Sequence, residues 1–291
     1  ILGNSAILKN VNAAAKINQS SSSTQIASVK YKINDGTITI YGKGKMPNSM
    51  TFKKNRQIHT VIIRNGVTSV SKYAFYNCKN LISLADTGIE SWVLPNVTEG
   101  SAVFYNCTQL QSANLERWNP TKIVNLPWLF YGCENLQEFS LDGWRVPSLL
   151  SLQQAFSSCT KLEVIDLSSW TEIHSLNSLY GTFSGCTNVK EIRIPNIKSG
   201  FKTMFFYFTF DECTSLELLD ISGWILDGCN EKVANSGGAF DLTTVFWGNT
   251  YPAGPFTLLA DNWEVTVDDI IYGSHNAHHH QFFNDFCSGC F

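Results

Sequence analysis

One apolar pattern returns along the chain every 26 to 29 residues. In each unit a phenylalanine is followed three residues later by a cysteine, and after three more residues by leucine or valine. A fixed period of this length is typical of a solenoid, in which each unit buries its apolar side against its neighbours. The pattern therefore predicts an elongated array with an extended binding surface. Its six Phe/Cys pairs are Phe75/Cys78, Phe104/Cys107, Phe130/Cys133, Phe156/Cys159, Phe183/Cys186 and Phe210/Cys213.

Within a unit, the spacing of the apolar residues differs between two segments. The segment from Leu162 to Leu167 alternates at period two, which predicts a short strand, whereas the segment around each phenylalanine predicts a short helix or helical turn. The fold class expected is an α/β repeat, with a parallel sheet on one face and short helices or turns on the other. A tryptophan recurs eight residues after the leucine, which favours a stacked core ladder over an exposed aromatic binding stripe. Its members are Trp118, Trp144, Trp170 and Trp224.

The chain before the repeats differs in character. A serine-rich stretch ends the first 25 residues, and two alternating runs joined by Asn34-Asp35-Gly36 predict a β-hairpin that caps the array. After Trp224 the pattern degrades, and Ser288-Gly289-Cys290 resembles the start of another unit, so we expect the natural protein to continue beyond Phe291. The predicted organisation is a flexible segment over 1–25, a β-rich cap over 26–66, about six repeats over 67–224, and degenerate repeats with an insertion over 225–291.

The Phe-x-x-Cys-x-x-Leu units resemble the BspA-like leucine-rich repeats of bacterial and protist surface proteins. The stretch from Asp35 to Pro47 looks like the cap region that often precedes such arrays, and Leu167-Ser168-Ser169-Trp170 is similar to a tryptophan-containing subgroup. The resemblance covers roughly residues 26 to 224. It implies a leucine-rich-repeat solenoid, secretion or display at the cell surface, and in some members a role in adhesion; fold alone does not fix function.

Composition excludes several classes of function. Charged residues make up 15% of the chain and the net charge is −3, which argues against nucleic-acid binding. No run of 18 apolar residues exists, so no transmembrane segment is expected. Motifs for nucleophilic hydrolysis, zinc proteolysis and phosphate binding are missing, and His59 and His174 are isolated. We therefore expect no enzyme activity and no cofactor.

Nine cysteines would normally suggest disulfides or a metal. Six of them are the repeat cysteines, and one small apolar side chain per turn favours buried free thiols over disulfides. Near the chain end, four histidines accompany Cys287 and Cys290 with zinc-like spacing. Because adjacent histidines cannot all contact one ion and Cys290 fits the repeat, no metal site is predicted. The four histidines are His275, His278, His279 and His280.

Acidic residues dominate the outward positions of the predicted strands, two, four and six places after the repeat leucine. Parallel strands lie about 4.8 Å apart, so these carboxylates would form a negative field across the sheet. Such a field favours a protein ligand with a basic patch, for example a host or matrix protein; a merely solvated strand face is the alternative. The candidate ligand-binding residues are Glu116, Glu138, Asp142, Asp166, Glu191 and Asp220.

The sequence thus predicts a secreted or cell-surface repeat protein that mediates protein binding or adhesion through its sheet. A structural spacer or stalk that presents another module is the second hypothesis, and an enzyme is a distant third.

Overall fold

The computed structural model describes residues 28–85, 93–118, 120–195, 197, 208–220 and 257–259. Over these residues the chain winds into a β-solenoid of about six turns with parallel sheets. Helix is nearly absent from this part of the chain, where the one helical element is a single 3-10 turn, Glu116–Trp118. The predicted repeat architecture is confirmed, and its helical side is not.

A hairpin opens the described chain. Strands β1 (Val29–Asn34) and β2 (Thr37–Gly42) pair in antiparallel register, with Asn34 opposite Thr37. Asp35 and Gly36 between them have φ values of 45° and 74°. Two left-handed residues in succession match the right-handed twist of a hairpin, which is why Asp-Gly is favoured there. The hairpin predicted from the alternating runs is confirmed.

After the hairpin each turn contributes one short strand to the same side of the solenoid, which we call the strand face. Strand β2 pairs in parallel with β4, and β6, β7 and β8 follow in order; β9 to β12 form a second parallel sheet. A separate side of the first turns pairs β3 with β5. The remaining strands are β3 (Gly44–Lys45), β4 (Thr60–Ile63), β5 (Val67–Ser69), β6 (Ser83–Leu84), β7 (Ser112–Asn114), β8 (Glu138–Ser140), β9 (Val164–Asp166), β10 (Glu191–Arg193), β11 (Leu218–Asp220) and β12 (Thr257–Leu259).

Alternation along each strand places one residue in the core and its neighbours outside. Ile165, Ile192 and Leu219 occupy the same register position in successive strands and are all buried. Their neighbours at the two flanking positions are at least partly exposed, as period-two packing requires. The expected direction of the strand residues is therefore confirmed for these turns.

The other side of the solenoid, the turn face, is built on a column of phenylalanines. Consecutive rings lie 5.5 to 6.0 Å apart, and most of the pairs are stacked face to face. Phe52 stacks on Phe75 and adds a first rung that the repeat pattern does not reveal, because Asn55 stands where a cysteine would follow. The seven rungs are Phe52, Phe75, Phe104, Phe130, Phe156, Phe183 and Phe210.

The sequence predicted a short helix or a helical turn around each phenylalanine; in the described residues these segments are turns, and the helix alternative is wrong. From the Phe75 rung onward, the residues two before and two after the ring have positive φ, as Ala102 and Asn106 do around Phe104. These left-handed residues interrupt any α-helix. Backbone N–H groups instead donate to the next turn, for example from Phe104 to Leu129 at 3.0 Å and from Asn106 to Tyr131 at 2.6 Å. Hydrogen bonds along the array axis therefore replace those within a helix.

Two glycines with positive φ differ in how closely the backbone of another segment approaches them. Gly143 (φ 70°) has open space where a Cβ would stand, whereas a Cβ on Gly66 (φ 95°) would lie 2.4 Å from the carbonyl oxygen of Gly42. We expect Gly143→Ala to lower the free energy of unfolding by about 1 kcal/mol through strain alone. Gly66→Ala should cost about 1–3 kcal/mol more, because backbone must move. Urea unfolding of both variants checks this, and equal losses would contradict it.

Candidate functional site

The strand face presents the six carboxylates predicted from the sequence. All of them point outward and all are at least partly exposed; Glu116, Glu138 and Asp142 are the most exposed, and Asp166, Glu191 and Asp220 are partly buried. The register brings some of them together, since Asp166, Arg193 and Asp220 lie side by side on β9, β10 and β11. The negative charge on the strand face is thus less uniform than the sequence predicted, because Arg193 lies between two of the carboxylates.

Basic side chains form ion pairs with carboxylates on and next to β9 and β10. Arg193 forms an ion pair with Asp166 at 3.7 Å and contacts Glu191 more closely. Just before β9 and β10, the Lys190 ammonium lies 2.8 Å from the Glu163 carboxylate, and this contact lowers the pKa of the Glu163 carboxyl. Exposed pairs of this kind add little to stability, but they cancel charge locally. Asp166 and Glu191 share the single positive charge of Arg193, so together they add less to an acidic field than two unpaired carboxylates would.

Negative charge remains concentrated around β8. Glu138 and Ser140 stand on the same side of this strand, and Glu116 of the preceding turn accepts a hydrogen bond from the Ser140 hydroxyl at 2.6 Å. Asp142 accepts one from the Ser169 hydroxyl at 3.2 Å. Hydroxyl partners orient the two carboxylates without neutralising them. We call Glu116, Glu138 and Asp142 the β8 acidic patch.

An apolar residue borders this patch. Val164 is 48% exposed, and the repeat places it at the position of Glu138 one turn later. A β-branched side chain held outward beside carboxylates offers a partner both an apolar contact and a charged rim, the usual anatomy of a protein interface. The strand-face alternation could have revealed this position, because Val164 already stood among the outward residues in the sequence.

The tryptophans are core residues, as predicted. Trp118, Trp144 and Trp170 are buried and stack at 6.1 and 5.4 Å. The indole N–H of Trp144 donates to the Leu115 carbonyl of the preceding turn, and that of Trp170 donates to Leu141, both at 2.9 Å. An exposed binding stripe is excluded for these three rings. Trp224 lies outside the described residues.

The repeat cysteines are buried free thiols, which confirms the prediction against disulfides. Each sulfhydryl donates to the phenylalanine carbonyl of the preceding turn, from Cys78 to Phe52 at 3.0 Å and from Cys107 to Phe75 at 3.2 Å. Burial raises the pKa of Cys186 to about 12 and that of Cys78 to about 11. Thiols that are buried and protonated react slowly, so these six are structural.

Two features of the described surface escaped the sequence reasoning. Tyr76, Tyr105 and Tyr131 form a half-exposed stack on the turn face, with ring centroids 4.6 and 4.7 Å apart. Charge is also segregated: residues 28–85 carry ten Lys and Arg side chains against one acid, Asp35. The whole-chain net charge concealed this polarity. The histidines and cysteines near the chain end, from His275 to Cys290, lie outside the described residues.

Two protein-family models match parts of the chain. Residues 69–196 match the family described as a Mycoplasma protein of unknown function, DUF285. Residues 4–82 match the BspA type leucine-rich repeat region, with six copies. Residues 4–82 are thus similar to leucine-rich repeats of the BspA type. Such repeats suggest protein–protein interaction in general, and the family is typically not enzymatic. No curated protein matches the chain.

Solved structures of other repeat proteins show distant similarity. A leucine-rich repeat protein from Bacteroides ovatus is 19% identical, with a TM-score of 0.35; the match covers 67% of this chain and 58% of that one. The T. pallidum leucine-rich repeat protein is 22% identical, with a TM-score of 0.37 and coverage of 65% and 87%. A leucine-rich cell surface protein from Faecalibacterium prausnitzii is 15% identical, with a TM-score of 0.24 and coverage of 82% and 97%. The chain thus spans less than two thirds of the length of the Bacteroides protein.

No helix within the described ranges is long and apolar enough to cross a membrane.

Proposed function

We propose that this chain is a secreted or cell-surface solenoid that binds a basic protein through its strand face. The observation that carries the proposal is the β8 acidic patch, Glu116, Glu138 and Asp142. Glu116 and Asp142 accept hydrogen bonds from hydroxyl groups, and none of the ion pairs among the described residues includes any of the three. A ligand of the expected kind presents lysines and arginines around an apolar contact. The BspA-type repeats support surface display, since proteins of that family are typically surface-associated.

The ion pairs on β9 and β10 indicate which carboxylates a ligand can reach most easily. Asp166 and Glu191 already contact Arg193, so a partner's cation would compete with an existing pair. Glu138 and Asp142 face no such competition. Their reversal should therefore remove most of the charge-dependent affinity, whereas reversal at Glu191 should change it less.

The test is binding to immobilised extracellular-matrix extract by wild type and by Glu138→Lys/Asp142→Lys. We expect the variant to lose at least about tenfold in retention, and high salt to weaken the wild type in the same way. Glu134→Lys/Glu217→Lys, which makes the same net-charge change at exposed positions elsewhere, is the matched control and should retain binding. Equal retention by wild type and the β8 variant would overturn the strand-face proposal.

A spacer is the second candidate function. It is favoured by the continuity of the array, because each phenylalanine ring packs against the next from Phe52 to Phe210 and backbone hydrogen bonds connect the described turns. A rod of this kind holds whatever lies at its ends at a fixed separation. The spacer hypothesis gains support if wild type, the β8 variant and its control are all left unbound by the extract.

A further inference from the structure

Over the described rungs, the turn face carries opposite charges at the first and the last rung, in the same register. Directly after the first phenylalanine of the ladder come Lys53 and Lys54, and directly after the seventh come Asp211 and Glu212. The equivalent residues of the five rungs between them are uncharged. The residues one place after each ring are Lys53, Tyr76, Tyr105, Tyr131, Ser157, Ser184 and Asp211; those two places after it are Lys54, Asn77, Asn106, Gly132, Ser158, Gly185 and Glu212.

No ion pair among the described residues includes either charged pair. Lys53 and Lys54 are exposed, and none of the described ion pairs includes them; the Lys53 ammonium instead lies 4.6 Å from the ring centroid of Tyr73. Lys72 approaches the same ring. At the far end, burial and the neighbouring charge of Glu212 raise the pKa of the Asp211 carboxyl. Among the described residues, each charged pair is therefore available to the opposite charge that the other pair carries.

Side-chain size is distributed in the same complementary way. Tyr76 and Tyr105 form a ridge on one half of the face, and Ser184 and Ser157 stand at the corresponding positions of the other half. Tyr131 occupies the middle rung. If a second copy is turned by 180° about an axis through that rung, Lys53 meets Asp211, Tyr76 meets Ser184, and Tyr105 meets Ser157.

We propose that two copies of this chain pair through their turn faces in antiparallel orientation, with the two-fold axis at the Phe130 rung. Such a contact is isologous and closed, so it yields a dimer and not a filament. A parallel arrangement would place like charges together at both ends. Seven rungs with ring centroids 5.5 to 6.0 Å apart span about 34 Å, which is long enough for a standard interface of about 800 Å² per partner, a patch roughly 28 Å across.

The proposal is tested by the mass of the full chain in solution, measured by sedimentation equilibrium. Wild type should be a dimer, and Lys53→Glu/Lys54→Glu and Asp211→Lys/Glu212→Lys should each weaken dimerisation by about 100-fold or more, because like charges then meet. An equimolar mixture of the two variants should restore a dimer that contains one copy of each. Lys30→Glu/Lys32→Glu, an equal charge change on β1, is the matched control and should remain dimeric.

Geometry is checked separately by crosslinking. Tyr131→Cys lies on the proposed axis and should crosslink to itself through a short bis-maleimide, while Ser184→Cys should crosslink only when mixed with Tyr76→Cys. The wild-type chain controls for its own cysteines. A monomeric wild type at high micromolar concentration, or a dimer that both charge-reversal variants leave intact, would overturn the proposal. So would a wild type that stays monomeric and binds only an added polyanion such as heparin through its lysines.

Discussion

Replacing Phe104 with alanine is expected to lower the free energy of unfolding by about 3–5 kcal/mol. Phe104 is fully buried and stacks between Phe75 and Phe130 at 5.7 and 5.5 Å, with Trp118 at 6.5 Å. Its removal leaves a cavity that the rings on either side cannot fill, because each is also held by its own neighbour. The loss is larger than for a single contact, since the ladder is interrupted in the first half of the array.

Cooperativity along the solenoid makes this result informative. In a repeat array each unit is stabilised mainly by the units next to it, so a weak rung uncouples the turns before it from those after it. We therefore expect Phe104→Ala to broaden the urea transition as well as to shift it. Circular dichroism and tryptophan fluorescence should separate, because Trp118, Trp144 and Trp170 all lie in the turns that follow.

Two controls accompany the alanine variant. Phe104→Leu keeps most of the volume and should cost less than about 1.5 kcal/mol. Val164→Ala removes an exposed side chain and should change stability by less than about 0.5 kcal/mol. A loss below 1 kcal/mol for Phe104→Ala would show that the ladder is not the main source of cohesion.

The repeat period was sufficient to predict the ladders, because each depends on a residue that recurs at one position. Phenylalanine, cysteine and tryptophan return in register, and stacking is then the simplest way to bury them. The turn side was harder to predict, because its conformation depends on backbone φ at positions with no common residue type. Tyr73, Ala102, Trp128 and Gln154 share a left-handed φ although they share no chemistry; hydrogen bonds to the next turn impose that conformation.

The candidate site was predictable in its outward residues and not in its electrostatics. Alternation placed Asp166 and Glu191 on the strand face, but their neutralisation by Arg193 depends on the register between strands. Whole-chain charge also concealed the contrast between the lysine-rich first turns and the acidic end. A net value of −3 is the sum of two regions of opposite sign, and it describes neither of them.

The six buried thiols are expected to make the fold labile to alkali. Burial raises the pKa of Cys186 to about 12 and that of Cys78 to about 11, and it raises the pKa values of the other four in the same direction. In the unfolded chain a cysteine ionises near pH 8.5. Above that pH the unfolded state loses protons that the folded state keeps, so ionisation favours unfolding. Stability from these groups is complete below about pH 8.5 and falls as the pH rises toward the folded-state values.

The size of the effect follows from the number of thiols. Each one that stays protonated in the fold contributes a slope of about 1.4 kcal/mol per pH unit once its unfolded counterpart is ionised. Six together give on the order of 8 kcal/mol per pH unit, against a typical total stability of about 5–15 kcal/mol. We expect unfolding between about pH 9 and 10, which urea titrations at successive pH values under reducing conditions would detect. Cys107→Ser/Cys133→Ser keeps a hydroxyl donor at both positions and should reduce the slope by two protons. A free energy of unfolding that stays constant from neutral pH to about pH 9.5 would contradict the burial of these thiols, since the linkage requires it to fall.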